Sequence, residues 1–301
     1  IEPLSEKKII IQAYDRNEKQ EFDLQPSLPV DGTLDLLKAV YNRIQKDNAF
    51  DLHGFRLSTF VDAPAGSGLG TSSTLVVAVL GAFKEMLKLH YDEYKTAQLA
   101  YDIERNDLQL AGGKQDQYAA TFGGVNFMEF DTHNKVIVNQ LRIKPQYLQE
   151  LENNLVLYFT STSRESAAII NEQVKNVKNK DVKSIEAMHL LKEQAKMMKD
   201  ALLQGKLDEI GLILDYGFEQ KRKMAANISN SQIETVYSAA KNAGATGGKI
   251  SGAGGGGFMI FYCPGNTRYQ VINVLQGFGG VVKDYSFTKY GLTTWSAIGP
   301  K

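Results

Sequence analysis

The sequence predicts an α+β fold divided between two domains. At 301 residues the chain is long enough to build two hydrophobic cores. Strand-like and helix-like segments cluster rather than alternate strictly, which argues against a doubly wound parallel sheet. The texture also changes near residues 144–154, from mixed strands and helices to a stretch that is almost wholly helical. The expected domains are therefore residues 1–150 and 151–301.

The elements follow in order. Residues 8–14 and 54–63 are rich in β-branched and aromatic side chains and read as strands. Between them Asp31, Gly32 and Thr33 offer capping chemistry, and Leu34, Leu37, Tyr41 and Ile44 recur at helical spacing. A Gly-rich turn at residues 64–70 leads into residues 71–89, which are apolar nearly all round at first and read as a buried helix. Residues 94–105 read as a further helix, and 124–130 and 135–143 as short strands. In the second half, residues 155–160 read as a strand. The stretch 163–243 is helical, with an apolar stripe at Leu207, Ile210, Leu214 and Phe218. A second Gly-rich run at 249–257 precedes a strand at 258–262, a helix, and a last strand near 281–287.

Composition removes whole classes of function. Basic and acidic residues balance at 34 each, so a bulk nucleic-acid or membrane-surface role is disfavoured. The best apolar run, residues 74–83, is about half of the ~20 residues a spanning helix needs. The single cysteine, Cys263, excludes an internal disulfide framework, reads as a buried strand residue and fits a cytoplasmic protein. His53, His90, His133 and His189 are scattered and lack metal-ligand spacing. The sequence opens at Ile1 without a Met, and residues are expected to precede it.

The strongest chemical signal is Pro64-Ala65-Gly66-Ser67-Gly68-Leu69-Gly70-Thr71-Ser72-Ser73, set between a strand and a buried helix. Alternate glycines leave backbone N–H groups open to a ligand, and the helix start adds its unpaired N–H groups and positive dipole end. Such a loop suits a polyphosphate. It is not a Walker A loop, because no Gly-Lys-Ser/Thr follows, nor a dinucleotide fingerprint, because Thr71 stands at the third glycine. Glycines alone would equally serve a tight strand-to-helix connection, and the hydroxyl run Thr71-Ser72-Ser73 decides between the two.

This string resembles the central phosphate loop of the GHMP kinases, the family of galactokinase, homoserine kinase, mevalonate kinase and phosphomevalonate kinase. Lys249-Ile250-Ser251-Gly252-Ala253-Gly254-Gly255-Gly256 resembles that family's third motif, and Gly112-Gly113-Lys114-Gln115-Asp116-Gln117 resembles the G-x-x-D-Q segment of its sugar kinases. The two different loops stand in the right order, and the resemblance spans essentially the whole chain. The resemblance implies a two-domain GHMP kinase fold with ATP and sugar in the cleft between domains. It implies that Asp116 is the catalytic aspartate, and that Ser72 and Glu104 bind Mg²⁺, with Thr71 an alternative to Ser72. The residue types suit that chemistry. Mg²⁺ takes hard oxygen ligands and keeps several waters. Phosphoryl transfer has a loose transition state, so an aspartate need only orient the hydroxyl and accept its proton late. Each has a plainer reading alone: a solvated Glu104, Asp116 as a turn residue, Ser72 as a helix cap.

Residues 111–120 and 160–166 further resemble bacterial kinases of D-glycero-D-manno-heptose 7-phosphate, which phosphorylate the anomeric hydroxyl on the way to nucleotide-activated heptose. A phosphorylated substrate needs cations. Arg164 at a helix start is the first candidate, with a solvated surface arginine as its alternative; Lys114 and Lys249 come next, and Gly254 and Gly255 are expected to meet substrate. Lys221-Arg222-Lys223 reads as a solvated helix face. The family's first motif, of P-x-R type, has no counterpart, which bears on substrate more than on reaction. The rival readings are another sugar kinase of fucokinase or galactokinase type, a mevalonate-type kinase, and a non-catalytic sugar and ATP sensor. Retention of Asp116, Glu104 and Ser72 together argues against the sensor. The oligomeric state is not readable.

Overall fold

The computed structural model describes residues 1–49, 53–64, 66–162 and 166–297. It is an α+β protein of two compact units. The first takes the chain up to Pro64, then Gly70–Gly123, and the C-terminal segment from Tyr290; the second takes residues 66–69 and Gly124–Lys289.

In the first unit a four-stranded sheet has the order β1-β4-β2-β3, from β1 (Glu2–Pro3), β2 (Lys8–Ala13), β3 (Glu18–Asp23) and β4 (Phe55–Thr59). β2 pairs parallel with β4, Ile9 opposite Phe55, and antiparallel with β3. Both of its faces are largely buried, as its Ile-rich sequence requires, whereas β3 alternates exposed and half-buried residues. The helices are α1 (Asp35–Asn48), α2 (Thr71–Leu87), α3 (Glu93–Asp102) and α4 (Gln115–Phe122). Tyr41, Phe55 and Phe83 meet in the core with ring centroids 5.5–6.2 Å apart. The C-terminal segment returns to this unit: Leu292 N–H donates to the Thr121 carbonyl at 3.1 Å, and the Leu292 side chain rests against Gly81 of α2.

The second unit holds β5 (Asn126–Phe130) and β6 (Val136–Gln140) as a two-stranded sheet, then α5 (Pro145–Asn154) and β7 (Leu155–Phe159). After these come α6 (Ser166–Lys178), α7 (Val182–Gln204), α8 (Asp208–Arg222), α9 (Ser231–Asn242), β8 (Gly247–Ile250), β9 (Phe258–Tyr262), α10 (Thr267–Gln276) and β10 (Val281–Lys283). The main sheet is antiparallel, ordered β10-β7-β9-β8. One core, with Val156, Phe218, Val236, Met259 and Phe261, includes α8, α9 and the sheet; another gathers Ile143, Leu151, Leu202, Ile210 and Tyr262. Cys263 is buried in the first of these.

Three details depart from the sequence reading. The units exchange chain at Gly123/Gly124 rather than near residue 150, because Val125, Leu141 and Ile143 pack with Leu151 in the second unit. At the start of α1, Asp31 accepts from Thr33 N–H, but the carboxylate accepting from Asp31 and Gly32 is that of Asp35. Residues 115–122, to which the sequence assigned no element, form a helix, and Asp116 stands in its first turn. No described helix is long and apolar enough to cross a membrane.

Candidate active site

Ser72, Ser73, Glu104 and Asp116, singled out in the first half of the sequence, converge within the first unit. Gly70 precedes α2 in a left-handed conformation, φ +73°. A Cβ on Gly70 would lie 2.8 Å from Asp116 Cγ, so only glycine lets the loop backbone lie against that carboxylate. Asp116 is placed by the first turn of α4. It is half-buried, and burial together with the Glu104 carboxylate raises its pKa above the ordinary 3.8, against the opposing pull of Arg105.

Glu104 is fully buried. It lies where α3 gives way to a π-helical turn, Ile103–Asp107, closed by the Leu108 N–H on the Ile103 carbonyl at 3.0 Å. Its two carboxylate oxygens are both engaged. Ser72 Oγ donates to Oε1 at 3.2 Å, and Gln117 Nε2 donates to Oε2. Gln117 also donates to Ser73 Oγ at 3.0 Å, while its own Oε1 is buried without a partner. Arg105 lies 3.9 Å from Glu104 and donates to the carbonyls of Leu110 and Gly113 at 3.4 Å each. Lys114, at the N-terminus of α4, stands 4.7 Å from the centre of the Tyr101 ring. Ser72, Ser73, Glu104, Asp116 and Gln117 thus form one cluster. Thr71 opens α2, and Pro64 ends the stretch before the loop.

The earlier part of the phosphate-type loop packs within the second unit. Ser67 is buried, and its carbonyl accepts from the Phe258 N–H at 2.9 Å. Gly68 has φ +76°, and a Cβ there would lie 2.9 Å from the Ser251 carbonyl oxygen. Among the described residues the N–H groups of Gly66, Gly68, Gly70, Ser72 and Ser73 donate to no protein acceptor, as an anion-binding loop requires, whereas the Leu69 N–H lies 3.4 Å from Ser67 Oγ.

The late Gly-rich run is mixed. The Gly255 N–H is consumed by the Ile228 carbonyl at 2.8 Å and Gly254 packs on the same residue, so both are buried against the turn Ala226–Ile228. Gly252 and Ala253 are the open positions. Lys249 is half-buried, with its pKa lowered by burial. The solvated reading of residues 221–223 holds only for Lys223. Lys221 bonds to the Gly252 carbonyl, and Arg222 lies over Phe218 and pairs with both oxygens of Glu234 at 2.8 and 2.9 Å. Arg164 and Ala65 lie outside the described residues. No group of three metal-ligating His, Cys, Asp or Glu side chains occurs among the described residues. Sequence reasoning did not foresee the bonds of Gln117 to Glu104 and Ser73 or that of Lys221 to Gly252; the signal for Gln117 was its place directly after Asp116, and for Lys221 there was none.

Comparison with known proteins places the chain in a family. Residues 35–124 match the GHMP kinases N terminal domain and residues 198–280 the GHMP kinases C terminal domain. A D-glycero-alpha-D-manno-heptose 7-phosphate kinase of Campylobacter jejuni is 47% identical over 288 residues, covering 96% of this chain and 84% of that one. A crystal structure described as a D-glycero-D-manno-heptose 1-phosphate kinase from Bacteroides thetaiotaomicron superposes with a TM-score of 0.80 at 40% identity, covering 98% of this chain and 86% of that one. A putative sugar kinase from Campylobacter jejuni gives a TM-score of 0.79 at 43% identity, covering 97% and 84%. With both family domains matched in order and a relative of this identity across nearly the whole chain, the chain belongs to the GHMP kinases.

Proposed function

We propose that this enzyme transfers the γ-phosphoryl group of ATP to the anomeric hydroxyl of D-glycero-D-manno-heptose 7-phosphate, giving the 1,7-bisphosphate for nucleotide-activated heptose. The observation that carries the substrate is the 47% identity, over 96% of the chain, to a relative named for that sugar phosphate. The cluster around Asp116 supports the chemistry. Asp116 orients the sugar hydroxyl and accepts its proton as the new P–O bond forms; with a loose transition state, that proton moves late and a weak base suffices. Its raised pKa brings it closer to a useful basicity.

Mg²⁺ fits the residues present. Glu104 and Ser72 offer a carboxylate and a hydroxyl 3.2 Å apart, and the orphaned Oε1 of Gln117 adds a further oxygen in the same cluster. Mg²⁺ needs no cage of three carboxylates, since phosphate oxygens and waters complete its shell. When bound there it would neutralise charge on the phosphates. The chain itself supplies the rest. Gln117 holds the Glu104 carboxylate in place, and the open N–H groups of the loop and of α2 bind phosphate oxygens.

The test is ADP release by the full-length enzyme with Mg-ATP against heptose 7-phosphate, mannose 6-phosphate, fucose, galactose and mevalonate. Turnover confined to the heptose phosphate supports the reading. Turnover with a free sugar removes the substrate but keeps the kinase, and ATP binding without turnover on any of them turns the reading toward a sensor.

A further inference from the structure

Helix α8 runs alongside β8, and the glycines say why. Gly211 near the start of α8 packs against Thr246 and Gly247 at the start of β8, with no room for a side chain on either glycine. From Gly211 to Lys221 the helix rises about 15 Å. From Gly247 to Ile250 the strand covers about 10 Å, and the turn after it carries the chain on to Gly252. There the Lys221 ammonium reaches the Gly252 carbonyl. Lys249 is the next-to-last residue of β8, and its charge acts on Lys221.

Two ammoniums are thus brought to one end of α8 and β8. Burial and the charge of Lys249 push Lys221 down to about 7, and burial lowers Lys249 as well. Neighbouring cations are treated differently by the fold. Arg222 pairs with Glu234, and Lys241 with Asp215 at 2.9 Å, but neither Lys221 nor Lys249 has an ion pair among the described residues. Placing two half-buried cations on neighbouring elements with no anion among the described residues costs stability, and nothing in the core requires it. The surroundings are those of an anion site. The N–H groups of Gly252 and Ala253 donate to no protein acceptor among the described residues. The Gly68 turn of the phosphate-type loop, with its own open N–H, packs directly on Gly252, whose Cβ would lie 2.8 Å from Gly68 Cα.

We propose that Lys221 and Lys249, with the amides of Gly252 and Ala253, form a clamp for a substrate's phosphate dianion. Two positive charges match the two negative charges of a phosphate monoester, and glycine amides supply directional donors. The same chemistry could be presented by the phosphate on the sugar or by a terminal phosphate of the nucleotide. The inference rests on the phosphoryl-transfer reading above; it joins Lys249, which the sequence offered as a phosphate cation, to Lys221, Gly252 and Ala253, which it did not.

The experiment replaces each lysine by Met in the full-length enzyme and measures KM for heptose 7-phosphate and for ATP separately. Inorganic phosphate binding is titrated in parallel by calorimetry at pH 6.5. Losing one charge-assisted contact to a dianion should weaken its binding about ten- to a hundredfold. A rise of that size in the KM for the sugar phosphate alone assigns the clamp to the sugar. A rise in the KM for ATP alone assigns it to the nucleotide. Lys249→Met is the cleaner variant, since the Lys249 side chain makes no hydrogen bond among the described residues that its loss would break, and Lys221→Arg should recover part of the loss. Both KM values within twofold of wild type, with unchanged inorganic phosphate binding, would overturn the clamp. Should the wild type not act on heptose 7-phosphate at all, the substrate reading fails, and the phosphate titration still decides the clamp.

Discussion

Asp116 and Gly70 are a pair, and each explains the other. The carboxylate is held against loop backbone by a glycine at φ +73°, beside a second carboxylate at Glu104. Asp116→Asn keeps the shape and removes the proton acceptor. Its turnover should fall by about 10²- to 10⁴-fold with ATP affinity nearly intact, as read by steady-state kinetics and nucleotide titration. Turnover near the wild-type rate would remove Asp116 from the reaction. The pKa shift fixes a second outcome. The base form is the ionised one, and burial with Glu104 raises the pKa, so the acid limb of kcat should lie above 3.8 and be lost as pH falls through the raised value. Asp116, Glu104 and Ser72, which the structure brings into one cluster, were singled out by resemblance to motifs that lie in short linear strings. Lys221 was not. It sits in a run of three cations, which reads as solvated until β8 is laid beside α8.

Among elements, those with strong periodicity were legible and those made of polar residues or glycine were not. The Ile-rich β2 and the apolar α2 fall close to where the sequence places them. β3 was missed because Glu-Lys-Gln-Glu-Phe-Asp has little β character and only its pairing with β2 makes it a strand. β8 was not picked out because it opens on Gly247 and Gly248, yet Gly247 is what lets α8 approach. Gly211→Ala tests that contact. The added methyl would collide with Thr246 and the strand backbone, so the variant should lose about 1–3 kcal/mol in denaturant unfolding, although alanine favours a helix. An unchanged midpoint would mean that α8 and β8 are less tightly packed than described. The α8–β8 pairing also sets the clamp, so a smaller residue at either glycine is not available as a rescue.

For the whole molecule, the change in texture near residue 150 marked a change in helix content, not the place where the cores part. Short segments at Val125 and Leu141 decide that, along with a C-terminal return to α2 that no local pattern announces. The pH response of the whole fold carries a signature of Lys221. Its pKa of about 7 lies below the ordinary 10.5, so between those values the unfolded chain holds a proton that the folded chain does not, and stability from this group rises with pH. Lys221→Met removes that slope. Its melting temperature relative to wild type should therefore be highest at pH 6.5 and decline by pH 9.5 in parallel thermal melts without substrate. A pH-independent difference would place Lys221 in an ordinary aqueous setting. The account as a whole turns on one transfer, which phosphorus NMR of the full-length enzyme with Mg-ATP and heptose 7-phosphate observes directly. It predicts ADP together with a new phosphate resonance coupled to the anomeric proton while the 7-phosphate resonance persists. ADP formed only when heptose 1-phosphate is supplied, or a new phosphate at any other carbon, would contradict it.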